Sequence, residues 1–291
     1  MHNFGQWDKV RDLVDHTIDM MVNFRQSGHP GGSRSKTPLL VSATLSGAMR
    51  FDLRRPGARY ADRLILVGGH AVPVVYALLA IYNEALRVTF RVTGDTRFSI
   101  DQPSHRVLYW EDLLGFRHRG GLSGHAEMEG KTLFLGFNTG PSGHGASAAL
   151  GEALALKKAG AGDVRGFAVD GEGGLTPGVN QEVRNAAWGY GLDNLYYLVD
   201  WNDFGIDSHR VSDVVPGTPA DWFLAAGFDV NGAEDGEDWQ QLTSALLNMT
   251  EGGSAAPGMT WAKTRKGRGY GKYDYASHGS PHSPMNCEAY W

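Results

Sequence analysis

The sequence predicts an α/β fold in which a parallel sheet carries helices on both faces. Three observations lead there. Short apolar runs such as Leu64–Val67, Phe167–Val169, Leu195–Val199 and Met259–Ala262 alternate with segments of helical period. Glycine-rich or polar turns follow the strand runs, as they do where parallel strands end. The chain has 291 residues, 42% of them hydrophobic, which is enough to bury a core of that size.

The elements follow in order. Val10, Leu13, Val14, Thr17, Ile18, Met21 and Val22 recur at helical spacing over Trp7–Phe24. The turn Ser27-Gly28-His29-Pro30-Gly31-Gly32-Ser33 ends that helix. A second apolar helix is expected to start with Thr37 as its cap and Pro38 in its first position. Leu64–Val67 is a strand, Gly68-Gly69-His70 its turn, and Ala71–Leu86 a helix. Residues 87–109 mix charges without a period and read as a loop insertion. Gly140-Pro141-Ser142-Gly143-His144-Gly145 leads into an Ala-rich helix ending near Gly160. Strands at Phe167–Val169, Leu195–Val199, Phe228–Val230 and Met259–Ala262 then alternate with helices at Val179–Trp188, Trp222–Ala226 and Trp239–Met249. Residues 263–291 form an irregular tail. No linker or repeat divides the chain, so residues 1–291 are expected to form one unit.

Composition mostly excludes. Forty glycines are roughly twice the usual share, without a Gly-x-x period, and charged residues are only 20%. The surplus glycine therefore marks places where backbone approaches something closely. A single cysteine, Cys287, leaves no intramolecular disulfide framework and no Cys-based zinc site. A net charge of -5 argues against nucleic acid as a partner. With no apolar signal core and no run of about 18 apolar residues, no membrane partner is expected and a cytoplasmic protein is.

The densest chemical signal runs from Gly171 to Ile206. Glu172 stands between Gly171 and Gly173 directly after a strand, and Asn202 follows the next strand. A carboxylate and an amide oxygen at adjacent strand tips can share a hard cation, Mg²⁺ or Ca²⁺. The bare glycines let a diphosphate approach main-chain N–H groups. Two ordinary strand-end turns would look the same, and Asp170 is a competing carboxylate.

At these residues the sequence resembles a known family. Gly171-Glu172-Gly173 followed by Asn202 is similar to the thiamine diphosphate fingerprint, Gly-Asp-Gly with a downstream Asn. Ser27-Gly28-His29-Pro30-Gly31-Gly32-Ser33, Gly69-His70-Ala71, Gly124-His125, Gly140–Gly145, Gly178–Val183 and Ser277-His278-Gly279 occur in the order found in transketolases. The resemblance implies a thiamine-diphosphate-binding fold and transfer of a two-carbon ketol unit between sugar phosphates. It implies Glu172, Asn202 and the carbonyl of Phe204 as metal ligands. His70, Gly140, Pro141, Ser142, Gly143, Gly171, Gly173 and His278 would meet the cofactor. His29, His70, His125 and His278 would be catalytic, since imidazoles can donate, accept and hydrogen-bond sugar hydroxyls. The bland alternative leaves His2, His16 and His209 as surface residues, and His105 and His118 in a solvated basic stretch with Arg106, Arg117 and Arg119.

The pattern departs from the family in places. Glu172 replaces the usual Asp, and register favours it over Asp170, because Gly178 lies six residues on. Pro177 stands where a glutamate commonly links the two active sites of a dimer, and His144 replaces a glutamine. Arg34 and Lys36 stand where small or apolar residues are usual, and could attract a sugar phosphate or simply be solvated. The chain resembles the N-terminal subunit of two-chain transketolases. That implies a separate pyrimidine-binding C-terminal subunit as partner, and a homodimer of this chain within a heterotetramer. Competing readings are a deoxyxylulose-phosphate-synthase-like or 2-oxo acid component, a non-catalytic cofactor-binding module, and a nicotinamide-binding domain suggested by Gly143-His144-Gly145.

Overall fold

Side-chain alternation along the strands decides which layer each residue serves. The computed structural model describes residues 2–132, 134–206 and 209–274. Five parallel strands, β1 (Arg63–Leu66), β2 (Gly166–Gly171), β3 (Leu195–Trp201), β4 (Asp229–Ala233) and β5 (Gly258–Lys263), lie in the order β1-β2-β3-β5-β4. Leu64, Leu66, Phe167, Val169 and Leu198 point to one face. There they meet α1 (Phe4–Arg25), α2 (Pro30–Leu45), α3 (Val72–Thr93) and α7 (Trp239–Glu251), through Val14, Ile18, Leu39, Val74 and Leu246. Ile65, Ala168, Tyr197 and Val199 point the other way. They pack on α4 (Gly145–Lys158), α5 (Gly178–Gly189) and α6 (Pro219–Leu224), through Ala149, Val183, Ala187 and Phe223. Both faces of the sheet are thus buried, as the near-continuous apolar runs of its central strands require.

The expected strands and helices are present, with shifted ends. The largest correction is α2. It begins at Pro30, not at Pro38, so Pro38 lies in its interior and Thr37 caps nothing. Pro30 supplies the favoured first-turn proline, and Gly31-Gly32-Ser33, read from sequence as a turn, form the first helical turn. Tertiary burial overrides the weak helix preference of the two glycines: every residue from Pro30 to Thr44 is buried. The turn before it is made by Gln26, left-handed at φ 53, and by Gly28 at φ 143.

A second correction concerns residues 87–109. The α3 helix continues to Thr93, and short 3₁₀ turns at Thr96–Phe98 and Ser104–Arg106 follow, so the first part of the expected loop is helix. The segment Gly69–Thr93 is also long and apolar enough to cross a membrane by length and composition. That qualifies the sequence reading that none is, although most of it is packed inside the molecule.

Because all strands run the same way, their carboxyl ends share one edge. Gly69–Ala71 follows β1, Glu172–Leu175 follows β2, Asn202–Phe204 follows β3 and Thr264–Lys266 follows β5. Ligands bind at this edge of open α/β sheets. The amino end of α2, with His29, lies against it, since Gly267 N donates to Gly31 O at 3.1 Å.

Candidate functional site

At that edge a cavity of about 570 Å³ gathers residues far apart in sequence. Its walls include His29, His70, His125, Gly140, Pro141, Ser142, Gly171, Glu172, Gly173, Asn202 and Phe204. Of the sequence-derived candidates, Gly143 lies behind the wall, and His278 lies outside the described residues, as do His282 and Cys287.

The strand register builds the centre. Gly171 pairs with Asp200 across β2 and β3, so the residues just beyond them, Glu172 and Asn202, come together. Asn202 N donates to Glu172 Oε2 at 3.0 Å. Asp200 accepts at Oδ2 from Ser35 Oγ at 2.5 Å, Lys36 Nζ at 2.9 Å and Asn202 Nδ2 at 2.9 Å, and at Oδ1 from Thr264 Oγ1. That bond points the Asn202 amide nitrogen at Asp200 and leaves its Oδ1 on the other side, accepting from Phe204 N at 3.1 Å.

Glu172 is 1% exposed, and its Oε1 has no hydrogen-bond partner. Burial and the nearby Asp200 push its carboxyl up to about 8. A buried carboxyl with an orphaned oxygen, beside an amide oxygen, suits a hard cation that would restore its charge. No group of three or more His, Cys, Asp or Glu with metal-holding geometry occurs among the described residues. A donor set of one carboxylate, one amide and the Phe204 carbonyl would leave positions for water and phosphate oxygens.

Asp170 is also buried, with Oδ1 accepting from Gly171 N at 2.9 Å and Oδ2 unpartnered. Burial pushes it up to about 7 against the pull of Lys36. It lines the same cavity, and its carboxylate lies against Gly68 and Gly174: a Cβ on Gly68 would lie 2.9 Å from its Oδ1, and one on Gly174 would overlap the carboxylate.

The Gly140–Gly145 turn is fastened to the turn after β2. Asn180 Nδ2 donates to Gly174 O at 2.9 Å and reaches Gly143 O at 3.3 Å. Gly143 has φ +81, and a Cβ there would lie 2.5 Å from Gly174 O and 3.1 Å from Pro177 Cγ. Pro177 packs at the start of α5. His144 is exposed and does not line the cavity.

Three histidines, His29, His70 and His125, line the same cavity. The His29 and His70 rings meet edge to face at 5.2 Å. Burial, then Arg117, His125 and Lys266, bring His29 down to about 4, and burial and Arg117 also lower His125. The basic stretch in the sequence suggests a solvated Arg117, yet Gly124 lets its side chain pass and its Nη2 lies 3.4 Å from His29 Nδ1. His209, read as a surface residue, is exposed and lines the cavity mouth.

Arg34 and Lys36 are not solvated charges at a channel mouth. Arg34 is buried: Nη1 donates to Asp19, Nε donates to Arg268 O at 2.7 Å, and the guanidinium lies over the Tyr270 ring. Lys36 is buried in the cavity wall. Lys266, in the stretch read as irregular tail, also lines the cavity, donating to Gly205 O. Burial brings it down to about 8 against the pull of Glu172. Neither its neighbours in sequence nor its charge pattern separates Lys266 from an ordinary surface lysine.

Comparison with known proteins agrees with the geometry. Residues 107–289 match the family described as transketolase, thiamine diphosphate binding domain. The chain is 31% identical over 270 residues to the transketolase of Rhodobacter capsulatus, covering 89% of this chain and 36% of that protein. It is 30% identical over 256 residues to the 6-deoxy-6-sulfo-D-fructose transketolase subunit SqwG of Clostridium sp. (strain MSTE9), covering 86% of this chain and 82% of that subunit. The crystal structure of transketolase from Campylobacter jejuni superposes with a TM-score of 0.81 at 27% identity, covering 96% of this chain and 41% of that one. The chain thus spans little more than a third of the length of the full-length transketolases it matches. The family match extends over more than half of the chain, and the chain belongs to the transketolase family as a thiamine diphosphate binding domain.

Proposed function

We propose that the chain is the diphosphate-binding half of a thiamine-diphosphate- and divalent-metal-dependent transketolase. It would move a two-carbon ketol unit from a ketose phosphate to an aldose phosphate. The observation that carries this reading is the convergence of Glu172, its Oε1 orphaned, with Asn202, Phe204, His29, His70 and His125 in one cavity.

Glu172, Asn202 and the Phe204 carbonyl would hold Mg²⁺ or Ca²⁺, and the main chain at Gly171, Gly173 and Gly140–Ser142 would face the diphosphate. When bound, thiamine diphosphate supplies the nucleophilic carbon and the electron sink that no side chain provides. The chain's own residues bind and orient. Arg117 can only donate, so facing Nδ1 it leaves the proton of a neutral His29 on Nε2. His29 then offers an N–H to a sugar oxygen, whereas His125 at the mouth is open to accept or hydrogen-bond a hydroxyl. His70 edges onto His29 and restricts where a substrate chain can pass.

A separate pyrimidine-binding subunit would complete each site, within a heterotetramer containing two copies of this chain. The relative described as a transketolase subunit, 82% of which this chain covers, supports that arrangement. Isothermal titration of the chain with thiamine diphosphate, with and without Mg²⁺, tests the cofactor reading: metal-dependent binding is expected, and none would refute it. Ketol transfer from hydroxypyruvate, assayed with a co-purifying pyrimidine-binding chain, tests the reaction. Preference for pyruvate would instead indicate 2-oxo acid or deoxyxylulose-phosphate chemistry.

A further inference from the structure

Lys36 is a buried ammonium whose role the fold alone does not explain. It stands in the second turn of α2, 3% exposed, and faces the cavity. Its Nζ donates to Asp200 Oδ2 at 2.9 Å and reaches Gly32 O at 3.4 Å. An ammonium has three N–H donors. The third has no protein partner among the described residues.

Asp200 does not need the lysine in order to be satisfied. Ser35, Asn202 and Thr264 already donate to its two oxygens. A lysine retained only as a counter-ion would be an expensive choice, because a buried ion pair is often no more stabilising than an apolar pair of similar volume.

The surroundings of Nζ point to a ligand anion. A Cβ on Gly171 would lie 3.4 Å from Nζ, so bare main chain of the candidate diphosphate turn adjoins the ammonium. A Cβ on Gly32 would lie 3.9 Å from Lys36 Nζ and 3.8 Å from His70 Nε2. The two nitrogens therefore flank one glycine in the same wall. Two buried carboxylates, Asp170 and Glu172, line the cavity, and a third, Asp200, lies behind it against Lys36. Lys36 and Lys266 are the ammoniums that line it against them.

We propose that Lys36 contacts the phosphoryl oxygens of the bound diphosphate directly, as a protein cation acting beside the metal. This rests on the cofactor reading above and adds a residue to it. The Gly171 side of the cavity assigns the contact to the diphosphate and not to a sugar phosphate entering at the mouth.

The test is titration of the intact chain with magnesium thiamine diphosphate and with magnesium pyrophosphate. Lys36→Gln keeps a donor for Asp200 and removes the charge. It should weaken both ligands by about 10- to 100-fold, the range of a charge-assisted contact. Lys36→Arg should recover part of the loss. The same substitution in an Asp200→Asn background separates ligand contact from pairing, because there the lysine has no ion pair to lose. A loss that persists in that background supports the contact. One that vanishes there, or is absent in both backgrounds, overturns it. If Lys36→Gln does not melt cooperatively, the neutral Lys36→Gln/Asp200→Asn pair against Asp200→Asn gives the same reading. Wild-type chain that binds neither ligand would refute the cofactor reading itself.

Discussion

Arg117 Nη2 lies 3.4 Å from His29 Nδ1, and Arg117 Nη1 donates to Ser27 Oγ at 2.7 Å. The guanidinium is held beside the imidazole from a residue at positive φ, on a loop that also gives its carbonyl to Arg25 Nε. A permanent positive charge at this distance opposes a second one on the ring.

His29 should therefore stay neutral across the physiological range. Burial, reinforced by Arg117, His125 and Lys266, lowers it from 6.5 to about 4. Between those values the unfolded chain binds the proton and the folded chain does not. The contribution of His29 to stability is thus complete above pH 6.5 and is lost as pH falls toward 4. An NMR titration of the His29 ring should show no inflection near 6.5, and Arg117→Met should move the inflection upward. A wild-type inflection at the ordinary value would contradict the geometry.

Arg34 should be a determinant of stability and not of substrate affinity. It joins Asp19 on α1 to the Arg268 carbonyl, Tyr270 donates to Asp19 Oδ1 at 2.6 Å, and Arg268 donates to Asp15. Arg34→Met removes the guanidinium paired with the buried carboxylates of Asp19 and Asp15 and should cost about 3 kcal/mol, measured by urea unfolding. Arg63→Met, removing a partly exposed contact to Glu152, should change stability by less than about 1 kcal/mol. Equal effects would show that the Arg34 network is not what anchors the 265–270 segment.

Two glycines of one turn should respond differently. Gly143→Ala meets both a positive φ and the Gly174 carbonyl, and should cost about 2 kcal/mol or more. Around Gly140 a Cβ has open space, so Gly140→Ala should leave the melting midpoint unchanged while still probing the ligand. Thermal melts of both variants check this.

Much of the fold is legible in the sequence because strands and their turns are local patterns. Leu195–Val199 and the Gly171–Gly173 turn needed no tertiary information. The start of α2 was not legible, because Pro30 and Pro38 are both acceptable first-turn prolines and only burial selects between them. That one shift also hid Arg34 and Lys36: charges that precede a helix are solvated, whereas the same charges inside a fully buried helix must be paired. Arg117 is hidden in the sequence for a similar reason. Its neighbours His118 and Arg119 are exposed, and only the path past Gly124 turns it toward His29. Glu172 and Asn202 were legible because adjacent strand tips juxtapose whatever follows them.

Metal binding at Glu172 is the most direct test of the account. Electron paramagnetic resonance with Mn²⁺ should detect one tightly held ion per chain, only when thiamine diphosphate is present. Glu172→Gln should weaken it by about 100-fold, in line with the loss of a charged ligand. Asp170→Asn, whose carboxylate faces Gly68 and Gly174, should retain it. Retention in Glu172→Gln together with loss in Asp170→Asn would assign the ligand to Asp170 and contradict the site described above.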